Sequence, residues 1–357
     1  MKSGRTLTEL AVELERQAAA KKDYVADTRR LSFEAVAGAS GEKPGIVMQG
    51  VNGGMKLRET AHGQMAAALG IPKPYYDRLK EQAPDLLARN VNHWLVAQPA
   101  KRLVRTLDNE VRALLSDSYR PLDNLELAEA VLPKLGELGA TPLSCEVTEN
   151  RMYIKAVTDK VAGEVVKGDM IQAGVVVSNS EVGQGSLRVQ ALTYRLVCTN
   201  GAIHESAVRK AHLGRSARGQ DAIEDAREFF RTETRIADDR AFFLKVQDAT
   251  AAMFDAARFA KRLDSFREAG QKVIAPEADP VQVVELTAKR FGFNDTERKG
   301  ILNHLIRGGD MSAWGLANAV TRTAQDAENY DRATELESFG GDIIELPRNQ
   351  WAELVKV

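Results

Sequence analysis

The sequence predicts an α+β fold: an antiparallel sheet of about six strands from three hairpins with an inserted helix, a helical N-terminal segment and a mostly helical C-terminal third. Two observations carry this prediction. Between residues 102 and 199, apolar and polar residues alternate in paired segments separated by turn-forming residues. After residue 201 the apolar residues recur at steps of three and four, the spacing of amphipathic helices. Sequential hairpins imply antiparallel pairing.

The N-terminal segment, residues 1–54, is predicted to hold one amphipathic helix followed by loops. Leucine and alanine share one helical face within residues 7–22, and charged residues occupy the other positions. Glycine, serine and proline are then concentrated in residues 38–54, around a short strand at residues 46–48.

Two short helices joined at Gly70-Ile71-Pro72 are predicted within residues 60–80. This outline resembles a helix-turn-helix, in which the second helix would offer side chains to DNA bases. The alternative is a helical hairpin inside a larger domain. The candidate base-reading residues are Lys73, Tyr75, Tyr76, Arg78 and Lys80.

A core domain is predicted for residues 55–204, and a helical region for residues 205–357. The inserted helix begins at Asp123 or Asn124, which suit an N-cap, and ends before Gly139. N-cap signatures at Asp279, Asn294 and Ser312 predict later helices. The three hairpins pair residues 102–107 with 111–116, 143–148 with 152–157, and 170–178 with 187–199, and one long helix or two in series follow within residues 221–260.

Composition excludes several classes of protein. The chain has 357 residues, 49 Lys and Arg against 50 Asp and Glu, and only two cysteines, Cys145 and Cys198. A disulfide framework is therefore excluded, and no overall charge attracts polyanions. The sequence has no signal-peptide pattern and no uncharged apolar run near 18 residues. We expect a cytoplasmic protein with no membrane partner.

Common enzyme signatures are missing from the sequence. The phosphate loop, the dinucleotide-binding glycine pattern and the Gly-x-Ser-x-Gly elbow are all absent, so we expect no cofactor. The glycines at 183 and 185 lie between two strands and are interpreted as a hairpin turn. A weak metal candidate remains in Cys198, His204 and His212, although their spacing matches no familiar zinc site.

Local clusters of cations suggest a nucleic-acid partner, because several cations close together can contact several phosphates. Residues 209–218 contain four cations and no acidic residue. Ordinary solvated loops are the alternative. The candidates are Arg209, Lys210, Arg215 and Arg218 in this segment, with Lys101, Arg102 and Arg105 on a separate element.

The strand that ends near residue 199 supplies a second kind of evidence. Alternation places Arg195 on the same face as Val189 and Ala191. A guanidinium there needs either a carboxylate partner or a ligand, since burying it alone is costly. Tyr194 and Tyr153, both on strands, could stack on bases.

These segments resemble a family of phage- and plasmid-like proteins that is built on a domain of unknown function. The resemblance covers roughly residues 55–345. It is carried by residues 116–124, by residues 177–185 and above all by Tyr194-Arg-Leu-Val-Cys-Thr-Asn-Gly201. It implies carriage on mobile elements and defines no catalytic residue. The motif positions to suspect are Tyr119, Arg120, Asn179, Glu181, Tyr194, Arg195, Asn200 and Gly201; Asn200 and Gly201 also suit a tight turn with positive φ.

Three functions are compatible with the sequence. The favoured hypothesis is non-enzymatic binding of nucleic acid, preferably single-stranded DNA, during replication, recombination or repair, with an outline similar to ring-forming strand-annealing proteins. The second is an assembly or host-interaction protein that uses the helix after Asp221 and forms a homo-oligomer. The third is an enzyme with an unfamiliar site built from Arg120, Glu181, Arg195 and His204, which must then converge.

Overall fold

A computed structural model describes residues 1–36, 45–51, 53–210 and 232–355. It confirms the α+β class. The strands of the described residues are β1 (Lys22–Asp27), β2 (Ser32–Val36), β3 (Gly45–Gln49), β4 (Met55–Lys56), β5 (Lys101–Leu107), β6 (Glu110–Ser116), β7 (Thr141–Val147), β8 (Met152–Glu164), β9 (Met170–Asn179), β10 (Leu187–Arg195) and β11 (Asn200–Lys210).

Helices lie at both ends of the chain and between the strands. Those of the described residues are α1 (Leu7–Ala20), α2 (Glu59–Ala68), α3 (Lys73–Gln82), α4 (Pro84–Ala97), α5 (Asn124–Glu137), α6 (Thr232–Met253), α7 (Ala256–Gln271), α8 (Pro280–Phe291), α9 (Asp295–Gly308), α10 (Ala313–Thr323), α11 (Tyr330–Ile344) and α12 (Arg348–Val355).

The predicted helix starts are confirmed by their capping hydrogen bonds. The side chains of Asp279, Asn294 and Ser312 each accept a backbone N–H of the first helical turn. Asn294 also forms a reciprocal capping box with Glu297. Helix α8 ends at Gly292, which has a φ of 71°. Local signals therefore decide where these helices begin and end.

The strands form three sheets, where the sequence predicts one sheet of about six strands. The first predicted hairpin, β5–β6, pairs with β1 in a three-stranded sheet. The other two hairpins belong to a five-stranded sheet of order β11-β10-β9-β8-β7. A third sheet contains β2, β3 and β4. The pairing of β1 with β5 spans nearly 80 residues of chain, so no local turn signal could reveal it.

Strand β11 is the second correction. The sequence pattern predicts a return to helix after Gly201, but residues 200–210 pair antiparallel with β10. Polar residues interrupt the apolar alternation in this segment. Its strand conformation is therefore decided by the hydrogen bonds that the neighbouring strand offers, which outweigh a weak local preference.

The five-stranded sheet is covered on both faces. One face carries Ile154, Val175 and Val189 into the main apolar core, which also contains side chains of α5, α6 and α10. Helix α11 packs on the opposite face, close to β11: a Cβ on Gly341 would lie 2.0 Å from the carbonyl oxygen of Ile203. The sheet is thus held between two helical layers, with little surface exposed.

The helical hairpin predicted for residues 60–80 is present as α2 and α3. Tyr76, one of the candidate base-reading residues, is fully buried and its hydroxyl lies 2.8 Å from Nδ1 of His62. Lys73 and Lys80 form ion pairs with Asp77 and Glu59, respectively. The hairpin thus packs into an apolar core through the face that carries Tyr76.

Acidification is expected to destabilise this hairpin through His62. Burial lowers the pKa of His62 to about 4, so the folded protein keeps the ring neutral while an unfolded chain protonates it near pH 6.5. Stability is therefore lost as the pH falls from about 6.5 towards 4, by about 2 kcal/mol at pH 5. Urea unfolding of the protein and of His62→Gln at pH 7.5 and pH 5 measures this loss. An equal loss in both proteins would contradict it.

Candidate functional site

An open groove lies between α11 and the end of the five-stranded sheet. Its cavity volume is about 490 Å³, within the range of pockets that hold small ligands. Polar side chains supply much of its lining. The residues that matter for its chemistry are Arg151, Tyr153, Arg188, Gln190, Asp331, Glu335 and Phe339.

Cations collect at this end of the sheet because of its topology. Strands β8 and β10 both pair antiparallel with β9, so Arg151 and Arg188, at or beside the first residues of these strands, lie at the same end. Strand β11 runs the opposite way and ends there, with Arg209 opposite Arg188 in the register. The predicted cationic segment thus begins beside two arginines that are distant in sequence.

The acidic side chains of the groove already have partners. Asp331 accepts hydrogen bonds from the hydroxyls of Tyr153, at 2.8 Å, and Thr148, at 3.1 Å. Glu335 forms an ion pair with Arg332 at 2.8 Å. The Arg332 cation offsets the charge of Glu335, whereas the hydroxyl donors leave the negative charge of Asp331 in the groove.

Tyr153 does not provide the stacking surface that the sequence suggests. Its ring is only 4% exposed and lies 5.4 Å from the ring of Tyr330. Burial, with the nearby Asp331 carboxylate, raises the pKa of its hydroxyl well above the usual range. The half-buried ring of Phe339 is the aromatic group of the groove that remains partly accessible.

Arg195 has the carboxylate partner that its apolar surroundings require. Its guanidinium contacts Asp169 through Nε at 2.5 Å and Nη2 at 2.9 Å. Asp169 also accepts the indole N–H of Trp314 at 3.0 Å, and the Trp314 ring lies 5.7 Å from the guanidinium. Of the two alternatives, the structure therefore contains the ion pair. The neighbouring Tyr194 is half-buried.

The motif Asn200-Gly201 serves a purpose other than a positive-φ turn. Among the described residues of the β10–β11 turn, positive φ falls on Thr199, at 49°. Asn200 is buried and its amide donates to Asn318 and to the hydroxyl of Thr321, both on α10. A Cβ on Gly201 would lie 2.8 Å from Leu192. The motif therefore fixes the hairpin to the C-terminal helices.

The other two motif segments pack against each other. The buried Asn179 donates its amide to the carbonyl of Leu122 at 2.8 Å, and Tyr119 donates to the carbonyl of Ser180. Glu181 accepts the backbone N–H of Asn124 at 2.6 Å, at the start of α5. These side chains join residues 116–124 to residues 177–185, a structural role that needs no ligand.

The remaining predicted cations whose side chains the structure describes do not gather at the groove. Arg105 is fully buried and contacts Asp23 and Asp123. Lys101 is exposed and Arg102 half-buried, on a different sheet from β10. Arg120 forms an ion pair with Asp238 at 3.5 Å. Arg215, Arg218 and His212 lie outside the described residues, and only the backbone positions of Arg209 and Lys210 are described.

The four residues of the enzyme hypothesis do not converge. Arg195 pairs with Ile171 at one end of β9, whereas Glu181 follows the other end, roughly 26 Å along the strand. His204 lies between Thr193 and Glu345, 3.2 Å from each. Within the described part of the chain no three His, Cys, Asp or Glu side chains form a group suited to a metal ion.

Sequence reasoning missed Arg151 and Arg188, since neither belongs to a local cluster of cations. Arg151 follows the β7–β8 turn, and Arg188 stands alone in an apolar strand. No local sequence signal marks them: the strand order of the folded sheet brings the first residues of β8 and β10 to the same end.

One family model matches the chain: Domain of unknown function (DUF932), over residues 113–338, which is more than half of the sequence. No curated protein and no solved structure matches it. The matched region contains all three motif segments and the groove arginines. Across the described ranges, no helix is both long enough and apolar enough to cross a membrane.

Proposed function

Because the chain belongs to the family described as Domain of unknown function (DUF932), we propose its function from the groove: binding of single-stranded nucleic acid, preferably DNA. The observation that carries this proposal is the placement of Arg151, Arg188 and the end of β11 at one end of one sheet. We further propose that the protein serves a phage or plasmid, in replication, recombination or repair.

The groove has the features that strand binding requires. Proteins that bind single strands combine a cationic groove with aromatic side chains on which bases stack. Arg151 and Arg188 supply cations, Phe339 supplies a partly accessible ring, and Gln190 supplies an amide for hydrogen bonds. Strand β11 ends at this end of the sheet, and the sequence contains four cations in residues 209–218.

Binding of a fluorescent oligonucleotide of about 15 nucleotides tests the proposal. We expect the logarithm of the affinity to fall linearly with the logarithm of the salt concentration, with a slope of about −0.7 for each phosphate contacted. Anisotropy titrations at several salt concentrations measure both quantities. Absence of binding at low salt, or binding without salt dependence, would contradict the proposal.

Loss of one groove cation is expected to lower the affinity for oligonucleotides of any nucleotide sequence by a similar factor. Arg151→Ala should reduce the affinity by about three- to ten-fold and the salt slope by about 0.7, because one phosphate contact is lost. Gln190→Glu should weaken binding as well, by adding a negative charge without truncating a side chain. Both variants are compared in the same anisotropy titrations.

The matched control is Arg78→Ala, which removes an exposed arginine from α3. We expect it to bind like the unchanged protein. If Arg78→Ala lost more affinity than Arg151→Ala, the strand would bind at the helical hairpin and the groove would be the wrong site.

A further inference from the structure

A second cavity, of about 170 Å³, also borders the β7–β8 turn. Three structural units enclose it: α1, the β5–β6 hairpin and the β7–β8 turn. Three arginines from separate elements meet at its lining, namely Arg16 on α1, Arg58 after β4 and Arg112 on β6. Convergence of arginines in a concave site is typical of anion recognition.

Arg112 is the unusual member of this set. Its side chain is only 5% exposed, and Nη1 forms an ion pair with Glu181 at 2.7 Å. The Nε and Nη2 nitrogens are buried and have no hydrogen-bond partner among the described residues. A buried donor without a partner is destabilising, and more so when the group is charged.

The unpaired nitrogens form one edge of the guanidinium. Nε and Nη2 together present the two parallel N–H groups that bind a carboxylate or a phosphate in a bidentate manner. Glu181 cannot supply this contact, because its other oxygen accepts the backbone N–H of Asn124 at 2.6 Å. Arg112 therefore keeps a complete oxyanion-binding edge that its own ion pair does not use.

The other two arginines are held by carboxylates. Arg16 contacts Glu13 at 2.9 Å and Asp108 at 2.7 Å, both of which line the cavity, and Arg58 contacts Glu110 at 2.9 Å. Asp108 occupies the β5–β6 turn with a φ of 54°. Glu149, also in the lining, is an exposed carboxylate that opposes an incoming anion. The lining thus contains three arginines that attract an oxyanion and three carboxylates that oppose it, namely Glu13, Asp108 and Glu149. Removing the charge of Glu149, which holds none of the three arginines in an ion pair given above, should favour the oxyanion.

We propose that this cavity binds a phosphate group, held in a bidentate contact by Nε and Nη2 of Arg112 and attracted by Arg16 and Arg58. The phosphate is either free or the terminal phosphate of a larger ligand. The site is separate from the strand-binding groove, although the β7–β8 turn borders both: Thr148 lines the cavity and Arg151 lines the groove.

Calorimetric titration of the full chain with inorganic phosphate, at constant ionic strength set by chloride, tests the proposal. We expect saturable binding that is weakened at least about ten-fold by Arg112→Lys. Lysine keeps the positive charge and the contact with Glu181 but lacks the two parallel N–H groups that bind a phosphate in a bidentate manner. Glu149→Gln should tighten binding, so the prediction does not depend on the folding of an Arg112 variant alone.

A parallel arm uses an oligonucleotide with and without a 5′-phosphate. A gain in affinity from the 5′-phosphate that disappears in Arg112→Lys would identify a strand end as the source of the phosphate. Absence of phosphate binding in both arms, or equal binding by Arg112→Lys, would overturn the proposal. Arg151→Ala separates the two sites, because it should weaken strand binding and leave the inorganic phosphate titration unchanged.

Discussion

Replacing Lys155 by methionine is expected to reduce the free energy of unfolding by about 3–5 kcal/mol. Lys155 and Glu337 form an ion pair at 2.5 Å, between β8 and α11, and neither side chain is exposed to solvent. Lys155 also lies 4.4 Å from the centre of the Tyr330 ring and donates to Thr334. Removal of one partner leaves the other charge buried and unpaired.

The double variant Lys155→Met with Glu337→Leu should recover much of this loss, since an apolar pair carries no desolvation penalty. Burial lowers the pKa of Lys155, as desolvation disfavours its charged form. Guanidinium unfolding of the single and double variants measures the coupling. The control is Arg267→Met, which removes an exposed ion pair and should change stability by less than about 1 kcal/mol. If Lys155→Met were as stable as Arg267→Met, the buried ion pair would not have the importance for stability that we expect.

Replacing Arg105 by methionine is expected to cost about 3–5 kcal/mol of stability and to leave the affinity of the folded protein for single strands unchanged. Its guanidinium is fully buried and ties three segments together: Nε contacts Asp23, Nη1 donates to the carbonyl of Glu181, and Nη2 contacts Asp123. Arg105 is therefore an internal cross-link of the fold, although the sequence groups it with surface cations.

The matched control is Arg102→Met, on the same strand, where the side chain is half-buried and close to solvent. We expect its effect on stability to be below about 1 kcal/mol. Urea unfolding and anisotropy titration of both variants separate stability from binding. If Arg105→Met folded normally and lost strand affinity, the side chain would belong to the binding surface instead.

Much of the fold could be predicted because the information is local. N-caps such as Asn294, the stop at Gly292 and the turn residues of the β5–β6 hairpin act over a few residues of chain. The alternation in β10 likewise predicts which side chains enter the core, and Arg195 is found beside Trp314 with the carboxylate partner that this position demands.

The candidate site could be predicted only in part. The cations of residues 209–218 are visible in the sequence, but their position relative to Arg151 and Arg188 follows from the order of strands β8 to β11. The same limit explains the error on Arg105, whose partners lie at Asp23 and Asp123, 82 and 18 residues away in the chain.

The sequence by itself determined the α+β class, the starts of α8, α9 and α10, the hairpins and the segments that carry the family motifs. Only the tertiary structure decided which cations are buried, which strands share a sheet and where Arg112 lies. The physical reason is one of range: capping and turn formation depend on neighbours in the chain, whereas burial and ion pairing depend on groups that folding brings together. Whether an arginine side chain is buried in an ion pair or exposed to solvent therefore depends on residues that are distant from it in the sequence.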